Sequence, residues 1–141
     1  MERIGGKRQM DITKAKAALG IVGGLIVCWL GGWDVALKVL LFFMVADYIT
    51  GIANAWYQKR LDSEIGFKGI VTKIGLLVAV AVAAQIDIMT GQPGAVRSIA
   101  IMFLAANEGL SILENLAGIG VPIPETMRKA LDSWKVQDKQ E

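Results

Sequence analysis

Four polar residues and a glycine recur on one helical face inside an otherwise apolar stretch of this sequence. Asp47, Thr50, Gly51, Asn54 and Gln58 stand at i, i+3, i+4, i+7 and i+11, a spacing that stacks them along one side of an α-helix. A second stretch repeats the device with Asn107, Ser111, Glu114 and Gly118, and sets Glu108 and Asn115 beside them. A third places Ala79, Ala83 and Asp87 in a small-residue stripe that ends in a carboxylate. Carboxylates and amides in such runs serve either to hydrogen-bond helices to one another within a membrane or to line a water-filled path across it. Both readings stay open on the residues alone. The chain has no histidine, which excludes Ser-His and Cys-His nucleophile pairs and imidazole metal ligands. Its one cysteine, Cys28, sits in an apolar run and excludes an internal disulfide or a thiolate zinc cluster. No catalytic residue, cofactor or metal site is expected, and the chain is read as a non-enzyme.

The elements that carry these residues follow from composition. Of 141 residues, 54% are apolar and 20% charged, and mean hydropathy is +0.49; a soluble domain carries about 25% charged residues. So short a chain exposes much of its surface, and this surface suits lipid better than water. Four stretches are long and apolar enough to cross hydrocarbon: 17–33, 35–57, 74–90 and 98–116. The expected fold is therefore all-α, an integral membrane protein of about four transmembrane helices. Three is the alternative if the last two spans form a shallow hairpin or one of them is lost. An acid at the centre of a spanning helix costs about 2.5 to 3.5 kcal/mol, so the second and fourth spans need partners or water for their carboxylates. Glu114 is expected to matter more for assembly, and Glu108 to pair with another helix.

The cations set the orientation. Arg3, Lys7, Arg8, Lys14 and Lys16 precede the first span, Lys59, Arg60, Lys68 and Lys73 separate the second from the third, and Arg128, Lys129, Lys135 and Lys139 follow the fourth. Only Lys38 and Arg97 remain for the other side, where each is expected to snorkel towards the headgroups. The positive-inside rule then places the basic segment 1–16, the central loop 58–73 and the tail 117–141 in the cytoplasm. Residues 1–16 followed by an apolar run also have the outline of a secretory leader, but the small-residue cleavage pattern is weak and the segment is read as retained. Trp33, Trp56, Lys68 and Trp134 are the expected interfacial anchors. The central loop is expected to lie in the interface, as is an amphipathic tail helix with Met127, Ala130, Leu131 and Trp134 on one face. Gly20 and Gly24 form a G-x-x-x-G pair suited to helix packing, between copies or within one chain, and Gly51 offers a similar close approach.

Four ordered blocks give the sequence a family likeness: Asp47-Tyr48-Ile49-Thr50-Gly51; Ile65-Gly66-Phe67-Lys68-Gly69-Ile70 with Lys73; Ala106-Asn107-Glu108-Gly109-Leu110-Ser111-Ile112-Leu113-Glu114-Asn115; and Gly120-Val121-Pro122-Ile123-Pro124. In order and spacing, over residues 35–135, they resemble the phage-lysis and toxin-secretion holin family. That resemblance implies a membrane protein that assembles with itself in the bacterial cytoplasmic membrane and opens lesions. An endolysin, or a toxin, is the passing cargo, the lipid bilayer and further copies of the chain are the partners, and nucleic acid is not one. Asp47, Thr50, Asn54, Asp87, Asn107, Glu108, Ser111 and Glu114 are the candidate pore-lining or assembly residues. A small ion- or proton-conducting transport subunit is the alternative.

Overall fold

The computed structural model describes residues 2–127 and 129. Four helices follow one another: α1 (Glu2–Trp29), α2 (Val35–Tyr57), α3 (Ser63–Thr90) and α4 (Ala95–Gly118). Among the described residues there is no strand. Each helix is long and apolar enough to cross a membrane, over Ile12–Trp29, Val35–Tyr57, Gly66–Thr90 and Ala95–Gly118. At 1.5 Å per residue α2 reaches about 34 Å, enough for a hydrocarbon core of about 30 Å. Of the expected amphipathic tail helix, residues 125–127 and 129 are described and helical, while Ala130, Leu131 and Trp134 lie outside the described residues.

Local chemistry sets the boundaries. Gly31 and Gly32, at φ +80° and +113°, end α1, so Trp33 stands in the turn after it. Asp34 caps α2 by accepting from the Leu37 amide at 2.9 Å. Asp62 caps α3 by accepting from the Glu64 amide at 3.3 Å, and Gly91, left-handed at φ 68°, closes it. α3 thus begins well before residue 74, and 63–73 is its first part rather than a separate interfacial segment. Charge alone had marked this stretch as loop, whereas Lys73 is neutralised inside the bundle.

Connections are short and the chain runs up, down, up and down. α4 packs most extensively against α2, its parallel neighbour, and next against α3. α1 stands apart, touching α3 near Ile26, Trp29 and Leu30. The packed interior is small. Leu30, Leu37, Leu40, Met44, Val80 and Ile101 form its apolar layer, with Leu76, Leu77, Leu104 and Ala105 packed against them. The outside is apolar: Phe42, Val45, Ile49, Val78, Ile99 and Met102 are all exposed. Apolar outside and polar within is the arrangement expected in lipid, where apolar burial between helices supplies little drive and polar contacts and close packing hold the bundle.

Candidate functional site: a polar seam between three helices

Beyond the apolar layer, one turn further along α2 from Met44, the interior becomes polar. Lys73 of α3 donates to Asp47 Oδ2 of α2 at 2.5 Å and also to Glu108 Oε2 of α4. Glu108 is buried, and the side chains of Lys73 and Asp47 are only 15% and 14% exposed. The other Asp47 oxygen, Oδ1, accepts from Asn115 Nδ2 at 3.0 Å. The same amide lies 3.3 Å from Thr50 Oγ1, whose hydroxyl donates back to the Ala46 carbonyl at 2.9 Å. Asn54 Nδ2 reaches Asn115 Oδ1 at 3.5 Å, and Gln58 Nε2 donates to Asn54 Oδ1 at 2.8 Å. The stripe read along α2 is therefore one continuous string, from exposed Gln58 to buried Glu108, completed by Asn115 and Lys73.

Glycines make the approach possible. A methyl on Gly51 would lie 3.5 Å from Asn115 Nδ2, and one on Gly118 would collide with the Asn54 amide. On the other flank of α2 the Tyr48 ring lies over α3, where a methyl on Gly69 would come within 3.3 Å of two ring carbons. Gly66 and Gly69 thus seat Tyr48 and let Lys73, one turn on, reach Asp47.

The other candidates fall elsewhere. Asn107 is half-buried, and its Oδ1 is buried without a hydrogen-bond partner among the described residues. Ser111 is half-buried and Glu114 exposed. Asp87 lies at the opposite end of the bundle, where α4 starts at Gly94 without a side-chain cap of its own. Asp87 replaces that cap: its two oxygens accept the Val96 and Arg97 amides at 2.9 and 2.8 Å. Gly20 and Gly24 have nothing within 4 Å of an added methyl, so among the described residues the G-x-x-x-G pair makes no packing contact. Trp56 and Lys68 are exposed near the α2–α3 turn. Trp33 is exposed in the α1–α2 turn, with the Lys38 ammonium 5.9 Å from its ring centroid.

Two residues have roles that sequence reasoning missed. Lys73 was legible only as a loop cation and as part of a motif, yet it is the centre of the seam. Arg97 does not snorkel; it is 7% exposed. Its guanidinium donates to Asp34 Oδ2 and the Leu30 carbonyl, both at 2.5 Å, and to the Gly32 carbonyl at 3.2 Å. Hydrogen bonding from Arg97 first, and from the Leu37 amide second, holds the Asp34 carboxyl below its ordinary range.

This architecture accompanies a clear sequence kinship. Residues 24–135 match the model of the bacteriophage holin family. The chain belongs to that family. A Listeria innocua protein is 43% identical over 115 residues, covering 80% of this chain and 82% of its own. A 14.9 kDa Clostridium perfringens protein is 42% identical over 115 residues, covering 79% of this chain and 87% of its own. A probable holin of Bacillus phage phi105 is 40% identical over 95 residues, covering 67% of this chain and 70% of its own. No solved structure matches. Family membership and four apolar helices fit a multi-pass membrane protein. The four sequence blocks that carried the resemblance fall within the matched range, and the first three supply the seam: Asp47 and Thr50, the glycines under Tyr48 with Lys73, and Glu108 with Asn115.

Proposed function

We propose that this holin-family chain is a non-enzymatic lysis protein that assembles with itself in the bacterial cytoplasmic membrane. There it opens lesions through which an endolysin, or a toxin, leaves the cell. The observation that carries the reading is the seam: an apolar-coated bundle whose most polar surface is folded inwards and shared among three helices. Alone, the protomer satisfies Asp47, Lys73 and Glu108 internally, which allows it to rest in lipid. Exchanging these partners between copies would turn the same faces towards water. Inducible expression with and without an endolysin tests this: timed lysis that needs both genes supports it, and lysis by the endolysin alone contradicts it.

Proton conduction is the second reading, favoured by the unbroken string from Gln58 to Glu108. Against it stands the apolar layer of Leu37, Leu40, Val80 and Ile101, which seals the string at one end in a single protomer.

The charge distribution supports an orientation with both termini and the α2–α3 turn in the cytoplasm. In a Cys28→Ser background, a cysteine at Gln92 is expected to react with an impermeant external reagent in intact cells, and one at Lys139 only after permeabilisation. Labelling of position 139 before lysis contradicts the orientation.

A further inference from the structure

α1 is joined to the rest of the chain in an unusual way. None of Ile12–Trp29 is buried, and its side-chain contacts with α3 gather near the last turn. Beside that turn an apolar cleft of about 550 Å³ lies against α3, lined by Trp29, Val78, Val82, Gln85, Ile86 and Met89 among others. One polar contact crosses there, from Gln85 Nε2 to the Trp29 carbonyl at 3.4 Å. The two glycines that follow have backbone angles open to few other residues. Such a junction is free to pivot unless something holds it.

Arg97 holds it. The carbonyls its guanidinium grips, Leu30 and Gly32, flank Gly31, and its third partner, Asp34, begins α2. A methyl on Gly31 would lie 2.8 Å from Arg97 Cδ and Nε and 3.1 Å from the Ala84 methyl, so the side chain lies directly against the pivot. Arg97 is itself fixed, because its amide is held by Asp87 at the end of α3. One buried side chain thus locks the α1–α2 turn to the facing ends of α3 and α4.

We propose that Arg97 is the latch of a hinged first helix, a positioning residue that sets where α1 lies against α3. Release of the latch lets α1 swing about Gly31 and Gly32 and lifts it off the α3 face of Leu77 and Ala81, which are half-buried where Ile26 and Trp29 lie against them. That this face then meets a second copy rests on the assembly reading above; the hinge does not.

The test is pulsed electron spin resonance on the full chain in phospholipid vesicles, in a Cys28→Ser background. One label pair, at Leu19→Cys and Val71→Cys, reports α1 against α3; a reference pair, at Val45→Cys and Met102→Cys, reports α2 against α4. All four positions are exposed. Arg97→Gln is expected to broaden the first distance distribution at least twofold and leave the second unchanged. Asp34→Asn, which spares both carbonyl contacts, should broaden the first less, and it decides the matter if Arg97→Gln fails to insert. An unchanged first distribution overturns the latch. So does equal broadening of both pairs, which would make Arg97 a packing residue of the whole bundle. Lysis is not read in this experiment, so its failure leaves the proposed lesion activity standing.

Discussion

Asp47 and Glu108, on parallel helices, are joined through one ammonium group, that of Lys73 on the antiparallel helix between them in sequence. Two carboxylates therefore depend on one cation, and all three side chains are largely buried. Removing one partner of a buried ion pair leaves an uncompensated charge, which is costlier than the pair was favourable.

Lys73→Met is thus the harshest single change in the seam. It is expected to destabilise the bundle by about 3 to 5 kcal/mol, while Lys73→Arg, which keeps the charge, is milder. Adding Asp47→Asn to Lys73→Met removes one of the stranded charges and should recover part of the loss. Thermal unfolding in detergent micelles measures all three; a double variant no more stable than Lys73→Met contradicts the pairing.

Asp47→Leu separates insertion from function. Replacing a mid-span acid favours insertion by about 3 kcal/mol, yet it abandons Lys73, Asn115 and the exchangeable contact. More protein in the membrane with delayed or absent lysis is the expected outcome. Asp47→Asn keeps an acceptor for Asn115 and should delay lysis less. Normal timing for Asp47→Leu removes this residue from the mechanism.

Gly69→Ala tests the seat of Tyr48. The added methyl meets the ring at 3.3 Å, and overpacking of this kind costs about 1 to 3 kcal/mol when the neighbour cannot yield. Tyr48→Leu should relieve it. If Gly69→Ala unfolds at the parent temperature, the close approach of α2 and α3 is not needed.

Asp34 gives a pH signature. Its folded-state carboxyl is held low by Arg97 and the Leu37 amide, so its contribution is complete above the ordinary value of 3.8 and fades as pH falls through the lowered one. Because the side chain is 49% exposed, solvent screens the effect. Wild type should exceed Asp34→Asn in melting temperature at neutral pH, with the gap closing below pH 3.8. A gap that persists at the acid end contradicts the assignment.

Periodicity made the helices and the α2 stripe legible: α2 runs over the residues expected, and its polar face is the one that meets Asn115. What periodicity could not show was pairing across helices. Lys73 has the same signature as any loop cation until Asp47 and Glu108 are brought to it, and α3 was drawn short for that reason. Arg97 likewise offered no local sign of burial, since its partners are backbone carbonyls and a carboxylate in the turn after α1. Asp87 reads in the sequence as the carboxylate that ends a small-residue stripe and a candidate pore-lining or assembly residue, but the residues that define its geometry, a glycine at the start of α4 and two amides beyond it, lie in the next element.

Release of solutes of graded size from vesicles tests the central claim most directly. Purified protein is added to liposomes loaded with a proton-sensitive dye, a small fluorophore and a fluorescently labelled protein of endolysin size. Self-assembly into lesions predicts concentration-dependent loss of all three, with Asp47→Leu and Lys73→Met altering the concentration at which the protein escapes. Proton flux alone, with both larger cargoes retained, would contradict the account and favour a selective conductor, and retention of every solute would leave only a membrane scaffold.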